Sequence, residues 1–338
     1  MIKKPVPFVV LLSMASILAG CNSAKDYIRF QGNALGTTYS ITYRTPTGAP
    51  HDFSSRVTRV TGQSLDRINH SFSIYNNHSL LSELNHNLSR RTDSLFRNVF
   101  KRSQEISLHT DGAFDISAAP FFDYWGFGSE KRDSLKKWDP EAIKQYTGMD
   151  KFYLEDTLLY KKDPRGRLNM NAIAKGYACD LLADGLARLG ITDLLVEIGG
   201  EIVCKGLNPD RKPWRIGIDS PIDGNVHPGE SVEVVINLTD RALATSGNYR
   251  NFYLENGKKY AHIIDPRTGM PVWHHLLSAT VIADDCMSAD AYATAFMVMG
   301  LESSKSFLNK NPHLGAFLIY DENGVFKTYA TKNIQTGL

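Results

Sequence analysis

Tyr249-Arg250-Asn251-Phe252-Tyr253-Leu254, a turn at Asn256-Gly257, the run Lys259-Tyr260-Ala261-His262-Ile263-Ile264 and the corner Asp265-Pro266-Arg267-Thr268-Gly269 form the stretch that decides the fold. Asn-Gly between two aromatic and β-branched runs is a strong short-range signal for a tight hairpin. Pro266 and Gly269 then stop the second strand in a rigid turn. A hairpin makes its two strands antiparallel neighbours, so one such unit already argues against an all-parallel α/β sheet.

The same pattern recurs on both sides. Upstream, Asp193–Ile198 and Glu201–Lys205 flank Gly199-Gly200. Downstream, Phe317–Tyr320 and Val325–Tyr329 flank Asn323-Gly324. Leu35–Tyr43, Trp214–Ile218, Val232–Leu238 and Ser278–Ile282 read as further strands. Helical spacing of apolar residues marks Val57–Ile68, Ser94–Leu108, Asn171–Leu189 with a stop at Gly190, and Ser288–Met299 with a stop at Gly300. Phe72–Asn77 reads as a loop and Gly128–Asp139 as a charged surface excursion. Strands joined by hairpins with a few intervening helices give an α+β fold, with a mainly antiparallel sheet core and packed helices.

Composition sets the outer bounds. The chain has 338 residues, is 42% hydrophobic and 22% charged, and carries a formal net charge of +2. That is ordinary globular composition with no electrostatic case for nucleic acid. Residues 1–20 look like an export signal: Lys3 and Lys4, an apolar Val6–Leu18, then Leu18-Ala19-Gly20-Cys21 in the manner of a bacterial lipobox. Cys21 is the expected lipidation site and residues 21–30 the tether, with one domain over 31–338. The expected location is therefore the periplasmic face of a membrane, through a lipid anchor. Cys179, Cys204 and Cys286 are odd in number and without CxxC spacing, which argues against a disulfide framework or a zinc site.

Several constellations could carry chemistry. His262 and Asp265 stand three residues apart where a strand becomes a turn, which suits a base or, equally, a structural histidine with a turn-capping aspartate. Asp290 and Thr294 lie at i and i+4 on one helix face. A carboxylate beside a hydroxyl suits Mg²⁺, although a first-turn aspartate and a back-bonded threonine fit the same spacing. Asn169-Met170-Asn171-Ala172-Ile173-Ala174-Lys175 lies at a helix start, where free amides attract phosphate; a capped amphipathic helix with a surface lysine explains it as well. Ala113–Pro120 and Tyr124–Gly128 offer aromatic surface for a flat ring, or for the core. Ala244–Tyr249 could line the same cleft or form only a turn.

As an ordered set these motifs resemble one family. They are Gly36-Thr37-Thr38-Tyr39, Phe114-Asp115-Ile116 with Trp125–Gly128, Ala172–Tyr177, Val196–Gly200, Thr245–Gly247, His262–Gly269 and Ala289-Asp290 with Thr294-Ala295. Their order and spacing are similar to those of the bacterial FAD:protein FMN transferases of the ApbE family. The resemblance implies a T-fold-like flavin transferase architecture. It also implies Mg²⁺-dependent transfer of FMN from the substrate FAD to a threonine or serine hydroxyl of an acceptor flavoprotein, with AMP leaving. By the same resemblance His262 is the base, and Asp290, Thr294 and the backbone carbonyl of Ala172 hold the metal. Leu35, Tyr75, Asp115, Asn169, Lys175 and Ile264 map to the flavin cleft. Asn169 stands where relatives often carry an acid, and Ala293 where some carry a further carboxylate. FAD pyrophosphatase activity and flavin holding without turnover remain open as alternatives at this level.

Overall fold

The computed structural model describes residues 26–128, 139–222, 231–248, 252–255, 258–261 and 263–337. Its centre is one eight-stranded antiparallel sheet: β1 (Tyr27–Ala34), β2 (Thr37–Arg44), β3 (Leu194–Ile198), β4 (Glu201–Lys205), β5 (Arg241–Gly247), β6 (Leu276–Ala283), β7 (Gly315–Glu322) and β8 (Val325–Ala330). Spatial order follows sequence order. The sheet is thus a meander whose long connections carry the other elements. Its tight corners turn through positive φ, each with at least one glycine: Leu35-Gly36 at +53° and +75°, Gly199-Gly200 at +63° and +104°, and Asn323-Gly324 at +57° and +82°.

The first strand corrects the sequence reading. Tyr27 is already in the sheet, paired with Arg44, so the folded region begins inside the stretch taken as tether. Phe30 explains why, because its ring meets Tyr39 and Tyr43 edge-on. The hairpin at 249–264 is also refined. Phe252–Glu255 pairs with Lys258–Ala261, whereas Ile264–Asp265 pairs with Met270–Pro271 across the following turn.

Each face of the sheet buries a different layer, as the two-residue side-chain period requires. Val196, Val203, Ala244, Val281 and Leu318 face the main core. Here lie four helices: α1 (Phe53–Phe72), α2 (Ser94–His109), α3 (Ala174–Ala187) and α4 (Cys286–Met299). Ile202, Cys204, Leu243, Phe317 and Ile319 point the other way, against Trp214, Ile216, Ile236 and Leu238. Those residues belong to a small antiparallel sheet of Trp214–Asp219, Val232–Leu238 and Thr336–Gly337. A last helix, α5 (Leu301–Lys310), lies against β7.

Helix α4 is buried around nearly its whole circumference. It packs on β5 and β6 beneath it and on α2 and α3 beside it. Alanines at 289, 291, 293 and 295 allow that close approach. Its N-terminal amides are capped twice. Asp285 accepts from Ser288 N–H at 2.7 Å, and Asp180 of α3 accepts from Cys286 and Met287 N–H at 2.9 and 2.8 Å. Cys179, Cys204 and Cys286 are free and buried.

Candidate active site

A cavity of about 390 Å³ opens where the β5 end, the α3 start, α4 and the Ile264 turn converge. Its wall includes Tyr75, Asp115, Asn169, Ala172, Lys175, Ile264, Asp290 and Thr294, all singled out by the sequence. Leu35 is not on that wall. It occupies the β1–β2 corner at φ +53° and leans on the main core. His262 lies outside the described residues, as does Cys21. Ile263 and Ile264, which follow His262 directly, line the cavity.

The turn after Ile264 is built by its own sequence. Asp265 O accepts from Gly269 N–H at 2.7 Å, and the Asp265 carboxylate takes the Arg267 backbone N–H and grips its guanidinium at 2.8 Å. Asp265 is therefore the turn-capping residue. Gly269 has φ +75°, and a Cβ there would stand 2.4 Å from the Phe121 ring. Trp125 Nε1–H donates to Gly269 O at 2.8 Å, which ties the aromatic segment to the turn. Both readings of that segment hold in part: Phe121 and Trp125 are core, whereas Phe122 and Phe127 reach the cavity wall.

Two helices bring the charged groups together. Gly176 sits one residue after Lys175 on α3, and a Cβ there would fall 2.2 Å from Cys286 O. Only glycine lets α3 and α4 come this close. The same contact lets Gly176 N–H donate to Asp290 Oδ2 at 3.0 Å. One turn along α4, Thr294 Oγ1 shares a hydrogen bond with Ser246 Oγ of β5 at 3.2 Å. Thr294 therefore bonds across to the sheet, beyond any bond to its own turn.

Glu201 is the charged wall residue the sequence reading treated only as part of a strand. It is 2% exposed, and its Oε1 accepts from Lys175 Nζ. The signal that could have found it is a carboxylate directly after a double-glycine corner, where an apolar inward residue is the ordinary choice. Burial would lower the Lys175 ammonium, but the Asp290 and Glu201 carboxylates outweigh it and raise its pKa. Burial raises Asp290 against the pull of Lys175 and the Gly176 amide. Glu201 is pushed up to about 7, by burial first, with Lys175 opposing and Asp290 adding.

The candidate ligand atoms on this wall are oxygens: the carboxylates of Asp115, Glu201 and Asp290, the hydroxyls of Thr245, Ser246 and Thr294, and the side-chain amides of Asn169 and Asn171. No group of three or more His, Cys, Asp or Glu suited to a metal occurs among the described residues. The set fits a hard divalent cation that keeps water and shares ligand oxygens, and fits poorly a metal that needs a full protein cage. One buried Glu201 oxygen without a hydrogen-bond partner among the described residues supports the fit.

Comparison with known proteins agrees with this geometry. The chain matches the ApbE family over residues 35–318. It is 35% identical to a Vibrio cholerae FAD:protein FMN transferase, covering 97% of this chain and 98% of that protein. Identity to a Haemophilus influenzae protein of the same name is also 35%, with 96% of each chain covered. The solved flavin transferase ApbE from Vibrio cholerae superposes with a TM-score of 0.80 at 34% identity, covering 90% of this chain and 97% of that one. The apo crystal structure of Pseudomonas stutzeri flavinyl transferase ApbE gives 0.81 at 30%, covering 90% and 95%. With half the chain far exceeded and the fold shared throughout, this protein belongs to the ApbE family.

Proposed function

We propose that this chain is an FAD:protein FMN transferase. It moves FMN from FAD to a threonine or serine hydroxyl of an acceptor protein and releases AMP. The observation that carries the reading is the joining of Lys175, Asp290 and Thr294 on one cavity wall that also holds Ile264 and the aromatic Phe122 and Phe127. The aromatic side suits a flat ring system, and the charged side suits a diphosphate.

Residues of the chain have separable tasks. Lys175, held protonated by two carboxylates, attracts the diphosphate. Asp290, Thr294 and the Ala172 carbonyl hold Mg²⁺, which when bound neutralises charge on the diphosphate and on departing AMP. His262 accepts the proton of the acceptor hydroxyl as that oxygen bonds to the FMN phosphorus and the bridging P–O bond breaks. Its neighbours Ile263 and Ile264 on the wall support that role. Phe122 and Phe127 help exclude water, which favours the acceptor hydroxyl over hydrolysis. The lipobox-like Leu18–Cys21 supports tethering to a membrane facing the periplasm, where exported acceptors reside.

The test incubates purified protein with FAD, Mg²⁺ and a threonine-bearing acceptor. Mass spectrometry is expected to find one FMN increment on that threonine and stoichiometric AMP. AMP without acceptor modification would make the protein a pyrophosphatase, and neither product would make it a flavin holder. His262→Ala is expected to keep FAD affinity within about twofold and to slow transfer by about 10²–10⁴-fold.

A further inference from the structure

We propose that Glu201 positions the divalent cation: its unpaired Oε2 accepts a hydrogen bond from water carried on the ion. This inference rests on the cation site of the preceding section. It assigns that site a residue on β4, an element that supplies none of the ligands named so far.

Glu201 is 2% exposed and lines the cavity with Asp290 and Thr294. Its backbone is fixed from two sides. The Gly199-Gly200 corner aims it, and Cys179 Sγ–H donates to its carbonyl at 3.2 Å. Oε1 is committed to Lys175, while Oε2 is buried with no partner among the described residues. A buried carboxylate oxygen without a donor costs about 1–3 kcal/mol or more. Of the buried unpartnered side-chain atoms among the described residues, Glu201 Oε2 is the one that belongs to a carboxylate, the group for which a missing donor costs most.

The neighbouring side chains leave that oxygen to an incoming donor. Ser246 and Thr294 are hydrogen-bonded to each other, and Thr245 is bonded to Thr280 at 2.8 Å. No donor among the described residues reaches Glu201 Oε2. A small divalent ion on Asp290 retains several polarised waters, each a strong donor. Carboxylates outside the ligand shell orient such ligands in many metal sites. Glu201 thereby has two duties: Oε1 pairs with the Lys175 ammonium, and Oε2 accepts from the ion's water.

The test uses Mn²⁺ as the probe on flavin-free full-length protein, with binding read by electron paramagnetic resonance. Flavin-free protein removes the ribose and ribityl hydroxyls that could otherwise meet Oε2. Glu201→Gln is expected to weaken Mn²⁺ about tenfold. The same factor is expected between Lys175→Met and the double variant Lys175→Met/Glu201→Gln, because the water contact does not pass through the lysine. Unchanged affinity in Glu201→Gln overturns the proposal. So does a loss that vanishes in the Lys175→Met background, which would reduce Glu201 to a counter-ion. Asp290→Ala separates the two levels: if it binds Mn²⁺ like the parent, the cation site itself fails. If it loses Mn²⁺ while Glu201→Gln does not, only this inference fails. Should Glu201→Gln not fold, Glu201→Asp keeps the charge with a shorter reach, and a several-fold loss is expected.

Discussion

Asp290 shows how much one side chain depends on its surroundings. It is 3% exposed, and its carboxylate is held by the Gly176 amide at 3.0 Å. Asparagine can keep that hydrogen bond through its carbonyl oxygen while losing the charge. Asp290→Asn is therefore expected to fold, with a thermal midpoint within about 5 °C of the parent. AMP release, followed by chromatography, is expected to fall below detection. Full activity in this variant would remove Asp290 from the cation site. At this scale the sequence was informative about residue types, since Asp290, Thr294 and Lys175 were all singled out. It was less informative about Glu201, because a strand start carries no mark of which cavity the side chain enters. Leu35, mapped to the cleft by the family resemblance, forms the β1–β2 corner at φ +53°.

At the scale of elements, the α3–α4 contact sets the site. Gly176→Ala would place a methyl 2.2 Å from Cys286 O, against backbone that cannot swing aside. It is expected to destabilise the fold by about 1–3 kcal/mol, seen as a lower urea midpoint at unchanged slope. It should also weaken cation binding, because Asp290 rides on the displaced helix. A second element-level case is the short hairpin Phe152–Glu155 with Leu158–Lys161. Lys161 Nζ donates to Asn85 O at 3.0 Å, the last carbonyl of helix Leu80–Asn85. Burial, with Arg167 adding, lowers its pKa to about 8. Above that value the folded state has released the proton while the unfolded chain still holds it, so stability rises with pH from about 8 to the ordinary lysine value of 10.5. Below 8 both states are protonated and the penalty is fully present. Lys161→Met is expected to flatten that rise in denaturant titrations across this window; an unchanged slope would refute the assignment. These small elements were not legible beforehand, because four-residue strands give too short a pattern to separate from loop.

For the whole molecule, the two faces of the large sheet divide stability from chemistry. None of the second cluster, which includes Ile216, Ile236 and Leu243, lines the cavity. Ile236 is 0% exposed. Ile236→Ala is expected to cost about 2–5 kcal/mol in urea unfolding. FAD and Mn²⁺ affinities of the folded fraction should stay within about twofold of the parent. A large loss of affinity would mean that the small sheet shapes the cavity after all.

The sequence by itself determined the class of fold, because hairpin corners and two-residue alternation are local and survive without tertiary context. It also determined the order of the motifs, which is a one-dimensional property. Only the tertiary structure decided that Tyr27–Ala34 joins the sheet, that Asp290 meets the Gly176 amide, and that Glu201 enters the cavity with one oxygen unpaired. Each of these depends on partners more than ten residues away or on which side of a sheet a residue emerges. Such facts arise where segments distant in the chain pack together, as α3 and α4 do at Gly176, and no single window of sequence contains them.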